Sequence, residues 1–199
     1  MANFISIFRI FVAFYAIYLL TITTTWAYLL AFALTVIAFI LDGVDGWVAR
    51  KFNESSQLGS VLDIMGDRIV EASYWIIYAT LGWLSPLFPI ICVTRAFTTD
   101  SLRSVALAQG YTAFGETSMQ SSKIGKFICA SKFMRISYAV AKVVAFILII
   151  VAHTPGFETL PMFSCMNKIA IVFAWIAIIF CVVRGIPVVV ESKKLFEKK

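Results

Sequence analysis

Six apolar runs, approximately Ile10–Ile22, Trp26–Leu41, Ile69–Leu84, Phe88–Ala108, Tyr138–Ala152 and Ala170–Val190, follow one another along the chain. A spanning helix needs about 20 predominantly apolar residues. Inside a bilayer no water satisfies the backbone, so runs of this kind cross it as helices. Of the 199 residues, 61% are hydrophobic and 14% charged, whereas a water-covered domain carries roughly a quarter charged residues. The runs therefore predict an all-α integral membrane protein of six transmembrane helices. They form one membrane domain over 1–199, with no room for a second, soluble one. Met1-Ala2-Asn3-Phe4 lacks the basic region and small-residue cleavage site of a signal peptide, so the first run is expected to stay as a helix.

The connections alternate in charge. Thr21–Thr25 and Gly82–Pro86 contain no cation, and the stretch from His153 to Lys168 holds one. Arg50 and Lys51 occupy the second connection, Arg103 to Arg135 also holds Lys123, Lys126 and Lys132, and the tail carries Lys193, Lys194, Lys198 and Lys199. By the positive-inside rule the basic loops and both termini face the cytoplasm. That distribution also accounts for the net charge of +6 without nucleic acid, because no basic patch interleaved with aromatics is present. Cys92, Cys129, Cys165 and Cys181 are scattered, with no spacing that suits zinc or redox chemistry.

Charged groups within or beside apolar runs are the informative departures, since each costs several kcal/mol unless it meets water, a partner or a metal. The chain has five aspartates, and four fall between positions 42 and 67. Asp42 and Asp45 are spaced i, i+3, and Asp63 and Asp67 i, i+4, so each pair shares one helix face. The first pair ends the second run and the second pair opens the third, so a short turn brings the two faces together. Close carboxylates repel by up to roughly 4 kcal/mol per pair at an effective dielectric near 20, so such a cluster calls for cations. An all-carboxylate set selects hard ions, Mg²⁺ or Mn²⁺, completed by water and phosphate oxygens. Gly43, Gly46 and Gly59 lie near the acidic faces; each costs a helix about 1 kcal/mol against Ala, which close approach of a helix or a pyrophosphate would justify.

The segment from Asp42 to Asp67 reads D-x2-D-G-x2-A-R-x8-G-x3-D-x3-D, with Asp42, Asp45, Gly46, Ala49, Arg50, Gly59, Asp63 and Asp67 at the fixed positions. This resembles the signature of the CDP-alcohol phosphatidyltransferase family. Asn3-Phe4-Ile5-Ser6-Ile7-Phe8-Arg9 is similar to the Asn-x2-Thr-x2-Arg opening of its glycerol-phosphate branch, with Ser6 in place of Thr and Ala2 in place of the usual Pro. The resemblance implies six helices around a cavity open to the cytoplasm and to lipid, in a homodimer of the inner membrane. It implies two ions, one on Asp42, Asp45 and Asp63 and the other on Asp42, Asp63 and Asp67. Asn3, Ser6, Gly46, Arg50 and Ser56 would then hold CDP-diacylglycerol, and Asp67 would take the proton of the acceptor hydroxyl. Elementary chemistry agrees: paired cations clamp attacking and leaving oxygens together, and Arg50 offers phosphate a planar fork.

For the acceptor, Arg95 and Arg103 lie eight apart on the fourth run, hence on nearly one face, with Lys123 and Lys126 following. Ser121-Ser122-Lys123-Ile124-Gly125-Lys126 resembles the Gly-Lys-x-Lys region of phosphatidylglycerophosphate synthases, with Ile128 where the second Lys belongs. These cations point to a small polar acceptor carrying its own phosphate: glycerol 3-phosphate first, inositol phosphate or another polyol second. Arg184 and Lys132 read as anchors that snorkel to headgroups, and His153 as interfacial. A divalent-cation transporter is the competing class, since intramembrane carboxylates also line ion paths. It would want carboxylates at mid-membrane on several helices, whereas here they share one end of two neighbouring runs.

Overall fold

The computed structural model describes residues 2–51, 57–111, 122–156, 161–193 and 196. Within them lie seven helices and no strand: α1 (Ala2–Leu19), α2 (Thr25–Lys51), α3 (Gln57–Thr80), α4 (Leu87–Ala108), α5 (Lys123–Ala130), α6 (Lys132–Ala152) and α7 (Pro161–Glu191). The six apolar runs all fall on helices, and α5 is an addition within the basic stretch read as loop. Its N-terminus is set by Ser122, whose Oγ accepts from the Gly125 N–H at 2.9 Å, satisfying one of the orphan donors of the first turn.

Glycine in the left-handed region ends two of the helices. Gly82, at φ 75°, follows α3, and Trp83 N–H reaches back to the Tyr78 carbonyl at 2.9 Å. Gly110, at φ 85°, does the same for α4, with Tyr111 N–H bonded to Ala106 O at 3.0 Å. Only a residue without Cβ takes that conformation cheaply.

Three helices among the described residues are long and apolar enough to cross a membrane: Thr25–Val44, Lys132–Ala152 and Cys165–Glu191, with Phe4–Leu19 as a shorter apolar helix. α3 and α4 fall outside that group for a physical reason. α3 opens on Asp63, Asp67, Arg68 and Glu71 and stops at Thr80, while Arg95, Asp100 and Arg103 interrupt α4. The outward faces are nonetheless those of helices in lipid: Phe4, Phe11 and Tyr18, seven apart on α1, are 74%, 66% and 59% exposed, an apolar stripe that water would not tolerate at this extent.

The chain divides into two compact units. The first comprises residues 1–86 and 143–172. Here α1 packs on both α2 and α3, with Ala13 and Ala16 on α1 and Ala27, Ala31 and Ala38 on α2 buried; small side chains let backbones approach where no hydrophobic drive exists. Its heart is aromatic. Tyr74, Trp75 and Tyr78 on α3 surround Phe146 on α6, with ring centroids 5.0, 4.7 and 5.7 Å away. The buried hydroxyls are satisfied: Tyr74 Oη and Thr35 Oγ1 are 2.7 Å apart, and Tyr78 O–H donates to Phe146 O at 3.0 Å. His153 stacks on Trp83 at 4.5 Å and donates from Nδ1 to Ile149 O at 2.9 Å, a structural role at a helix end.

The second unit comprises residues 87–142 and 173–199. Ala106, Cys129 and Val188 form its buried centre, joining α4, α5 and α7, with Leu102 and Tyr111 packed around them.

Because Phe146 is the hub of the first unit's aromatic core and wholly buried, Phe146→Ala should destabilise the protein by about 3–5 kcal/mol. Thermal unfolding in detergent measures this; a loss below about 1 kcal/mol would show that the ring cluster is not the core.

Candidate functional site

α2 and α3 continue as helix beyond their apolar runs, which places Asp42 near the end of one and Asp63 and Asp67 in the opening turns of the other. Three of the four aspartates are brought together, and a cation lies among them. Arg9, two turns into α1 and 3% exposed, donates from Nη2 to Asp63 Oδ1 and to the Asp63 carbonyl, each at 3.1 Å. Its Nη1 donates to Asp67 Oδ1 at 3.3 Å and is ion-paired with Asp42 Oδ1. The guanidinium is enclosed while the carboxylates remain accessible, at 36%, 54% and 48% for Asp42, Asp63 and Asp67.

Gly66 makes this arrangement possible. A Cβ there would lie 3.1 Å from Arg9 Nη2 and 3.4 Å from Ile10 Cδ1, so α3 must present bare backbone to α1 one residue before Asp67. Gly43, by contrast, faces open space. Of the two reasons expected for glycine here, approach of a helix does not apply at 43 among the described residues, while room for a pyrophosphate is compatible with the open space.

Carboxylate oxygens from two helices that already converge on one positive group, and that stay open to solvent, suit a hard divalent cation. Such ions take oxygen donors and keep sites for water and phosphate. Asp42, Asp63 and Asp67 would hold them. The side chains of Asp45, Gly46 and Arg50, all on α2, lie outside those described, as do Asn3 on α1 and residue Ser56 itself. Ser6, one turn before Arg9, is buried at 4% exposure.

In the second unit the four cations expected for the acceptor fall on two helices: Arg95 and Arg103 on α4, Lys123 and Lys126 on α5. Arg95 is half-buried and packs against α7 at Gly185, where a Cβ would come within 3.0 Å of its Cγ. Arg103 is 3.9 Å from Asp100. Lys126 is half-buried, and the Lys123 side chain lies outside those described.

Arg184 joins this group, which the sequence did not reveal. It sits 5.5 Å over the Tyr138 ring, a cation–π contact, and Arg95 and Arg103 are both within its electrostatic reach. The Nε atoms of Arg95 and Arg184 are buried without a protein acceptor among the described residues. An anion with several oxygens is the chemical complement of such a cluster. Arg184 thus lies in the same group of cations as Arg95 and Arg103. Its signal in the sequence was the adjacent Gly185, which leaves α7 open to Arg95.

α5 is tied to α7 beside this cluster. Ser122 Oγ donates to Glu191 Oε1 at 2.6 Å, and the Cys129 thiol donates to the Arg184 carbonyl at 3.4 Å. Burial pushes the Cys129 thiol up, against the opposing pull of Arg103, Arg184 and Arg95. It therefore stays neutral and inert at ordinary pH, a structural cysteine.

The family described as CDP-alcohol phosphatidyltransferase matches residues 1–183. The chain is 46% identical over 44 residues to CDP-diacylglycerol–inositol 3-phosphatidyltransferase 1 of Arabidopsis thaliana, covering 22% of this chain and 19% of that protein. It is 31% identical over 84 residues to CDP-diacylglycerol–glycerol-3-phosphate 3-phosphatidyltransferase of Bacillus subtilis, covering 42% and 44%. A Candida albicans CDP-diacylglycerol–inositol 3-phosphatidyltransferase is 43% identical over 54 residues, covering 27% and 22%. The chain thus spans from about a fifth to under half the length of these relatives.

A Cβ at Gly125 would overlap the Glu191 carboxylate. Gly125→Ala should therefore lower stability by about 1–3 kcal/mol, and most of that loss should vanish in a Glu191→Ala background. Chemical unfolding of the two single variants and the double variant tests the contact; strictly additive effects would contradict it.

Proposed function

The chain belongs to the CDP-alcohol phosphatidyltransferase family, matched over residues 1–183, and from that premise we propose that it transfers the phosphatidyl group of CDP-diacylglycerol to the hydroxyl of a small polar acceptor, releasing CMP in phospholipid biosynthesis. The acceptor is glycerol 3-phosphate, with inositol phosphate or another polyol as the alternative.

The observation that carries this reading is the convergence of Asp42, Asp63 and Asp67 on one cationic group. With Asp45 they would hold two divalent cations, Mg²⁺ or Mn²⁺. When bound, such a pair neutralises the pyrophosphate and stabilises charge on the attacking and leaving oxygens. Asn3, Ser6, Gly46, Arg50 and Ser56 bind CDP-diacylglycerol, Arg50 by a bidentate fork to phosphate. Asp67 accepts the proton of the acceptor hydroxyl as its oxygen forms a bond to the phosphatidyl phosphorus. The bond from that phosphorus to the CMP oxygen breaks, and CMP leaves with the electron pair. Asp67 acts through position, and its half-exposed carboxylate leaves the acceptor a way in.

A phosphorylated acceptor is favoured by the arginines. Arg95, Arg103 and Arg184, with Lys123 and Lys126, supply more positive charge than a neutral polyol needs. The Bacillus subtilis relative is named for glycerol 3-phosphate, and the Arabidopsis relative for inositol. Further parts of the proposal are a single membrane domain over 1–199, six transmembrane helices with both termini cytoplasmic, a homodimer in the inner membrane, and a site facing the cytoplasm. Amphipathic charge placement and the exposed apolar faces of the helices support the membrane setting.

Purified protein given labelled CDP-diacylglycerol, Mg²⁺ and a panel of acceptors should release CMP and yield one lipid product, phosphatidylglycerophosphate. Absence of CMP release with every acceptor would sink the reaction; release only with unphosphorylated inositol would sink the acceptor choice. Asp67→Asn should cut turnover by about a hundredfold or more while nucleotide binding in Mg²⁺ is partly kept. Arg95→Ala and Arg184→Ala should each raise the KM for glycerol 3-phosphate by roughly tenfold, with little change for the lipid donor. Equal changes for donor and acceptor would remove these arginines from the acceptor site.

A further inference from the structure

Arg9 is a buried charge of the first unit whose placement the proposed chemistry does not use. It is among the most enclosed charges described, at 3% exposure, and it belongs to neither the carboxylate pairs nor the phosphate-binding residues. Yet it touches α2 and α3 at the three aspartates that matter: Asp63 twice, Asp67 once, and Asp42 by an ion pair. α3 gives up a side chain at Gly66 to admit it. A buried guanidinium carries a heavy desolvation cost, and one placed here for packing alone would be better replaced by an apolar side chain.

We propose that Arg9 is a resident counter-cation. Before ions load, it holds the carboxylates of α2 and α3 in place and offsets part of their repulsion. When ions bind, it yields the carboxylate oxygens to them, so that its charge sets how much cation the site requires. This rests on the metal-binding reading of the aspartates given above.

Charge arithmetic supports an exchange rather than a permanent shared site. Four carboxylates carry four negative charges, which two divalent cations cancel completely. The Arg9 charge is needed only when those ions are absent, and in their presence it faces like charge. A guanidinium suits the first state because its fork reaches several carboxylates at once, and α1 can hold it rigidly from the opposite side to solvent. Arg9 is thus a positioning residue, acting on the reaction through Asp42, Asp63 and Asp67.

The test is thermal unfolding of detergent-purified wild type, Arg9→Gln and Arg9→Lys, each titrated with Mg²⁺ from an EDTA-treated start. In EDTA, Arg9→Gln should melt several degrees below wild type, and saturating Mg²⁺ should close most of that gap. The Mg²⁺ concentration for half-maximal stabilisation should fall several-fold in Arg9→Gln, because the Arg9 charge then no longer competes for the carboxylates. Arg9→Lys, which keeps the charge, should stay near wild type on both measures, and it carries the test if the Gln variant does not fold. A melting deficit that is the same with and without Mg²⁺, a half-saturation point that rises, or a Lys variant that behaves like Gln would each overturn the proposal. If wild type itself gains nothing from Mg²⁺, the metal reading of the aspartates fails and Arg9's role with it; a wild-type gain with no change in the variants rejects Arg9 alone.

Discussion

Gathering carboxylates at one point is the constraint that organises the first unit. Asp42, Asp63 and Asp67 could not be held around a common centre at the edge of an apolar helix bundle without positive charge between them. Arg9 supplies it from α1, and that requirement reaches into the packing. α1 must lie against both α2 and α3. α3 must be bare at Gly66, and α2 must remain helical past its apolar run so that Asp42 stays on the face toward α1. Accessibility is part of the same design. A fully buried carboxylate set would bind ions but admit no pyrophosphate, whereas side chains open by a third to a half can serve both.

The second unit solves the opposite electrostatic problem. Arg95, Arg103 and Arg184 repel one another, and their gathering is tolerated through other means. Tyr138 places its ring face against Arg184 and also lies 5.5 Å from Lys142 Nζ. Asp100 stands near Arg103, and Glu191 contributes negative charge near Cys129 and the arginines. Pro187 inside α7 cannot donate to the Val183 carbonyl, which loosens the helix one turn from Gly185 and Arg184. Among the described side chains the first unit thus gathers negative charge around Arg9 and the second gathers arginines around Tyr138; in the proposed reaction, metal ions would complement the former and an acceptor phosphate the latter.

How much of this was legible in the sequence depended on whether the signal was periodic or spatial. The aspartate pairs were legible because i, i+3 and i, i+4 spacing is a property of a single helix. The apolar runs gave every long helix for the same reason. α5 escaped because eight residues with Lys123, Lys126 and a central glycine look like loop until the Ser122 cap is seen. Arg9 was visible only as the last position of a short N-terminal pattern; that it would meet residues 54 and 58 positions away is a fact of packing. Glycine was only partly legible. Gly43 has the motif's company but open surroundings among the described residues, while Gly66, unremarked between Met65 and Asp67, is pressed against a neighbouring helix, as are Gly125 and Gly185 in the second unit.

The same distinction bears on the acceptor. In the proposed reaction the aspartates act at the donor's pyrophosphate, and relatives named for inositol and for glycerol 3-phosphate share CDP-diacylglycerol in their names, so the signature does not tell the two acceptors apart. What separates them physically is whether the acceptor brings charge. Hydroxyl groups alone could be matched by Asn, Ser or Asp at little desolvation cost. Drawing Arg95 and Arg184 into a partly buried cluster with their Nε atoms lacking an acceptor among the described residues costs far more. An anion with several oxygens would return that free energy on binding. The burial of those two side chains, rather than any motif, is therefore the argument for a phosphate on the acceptor.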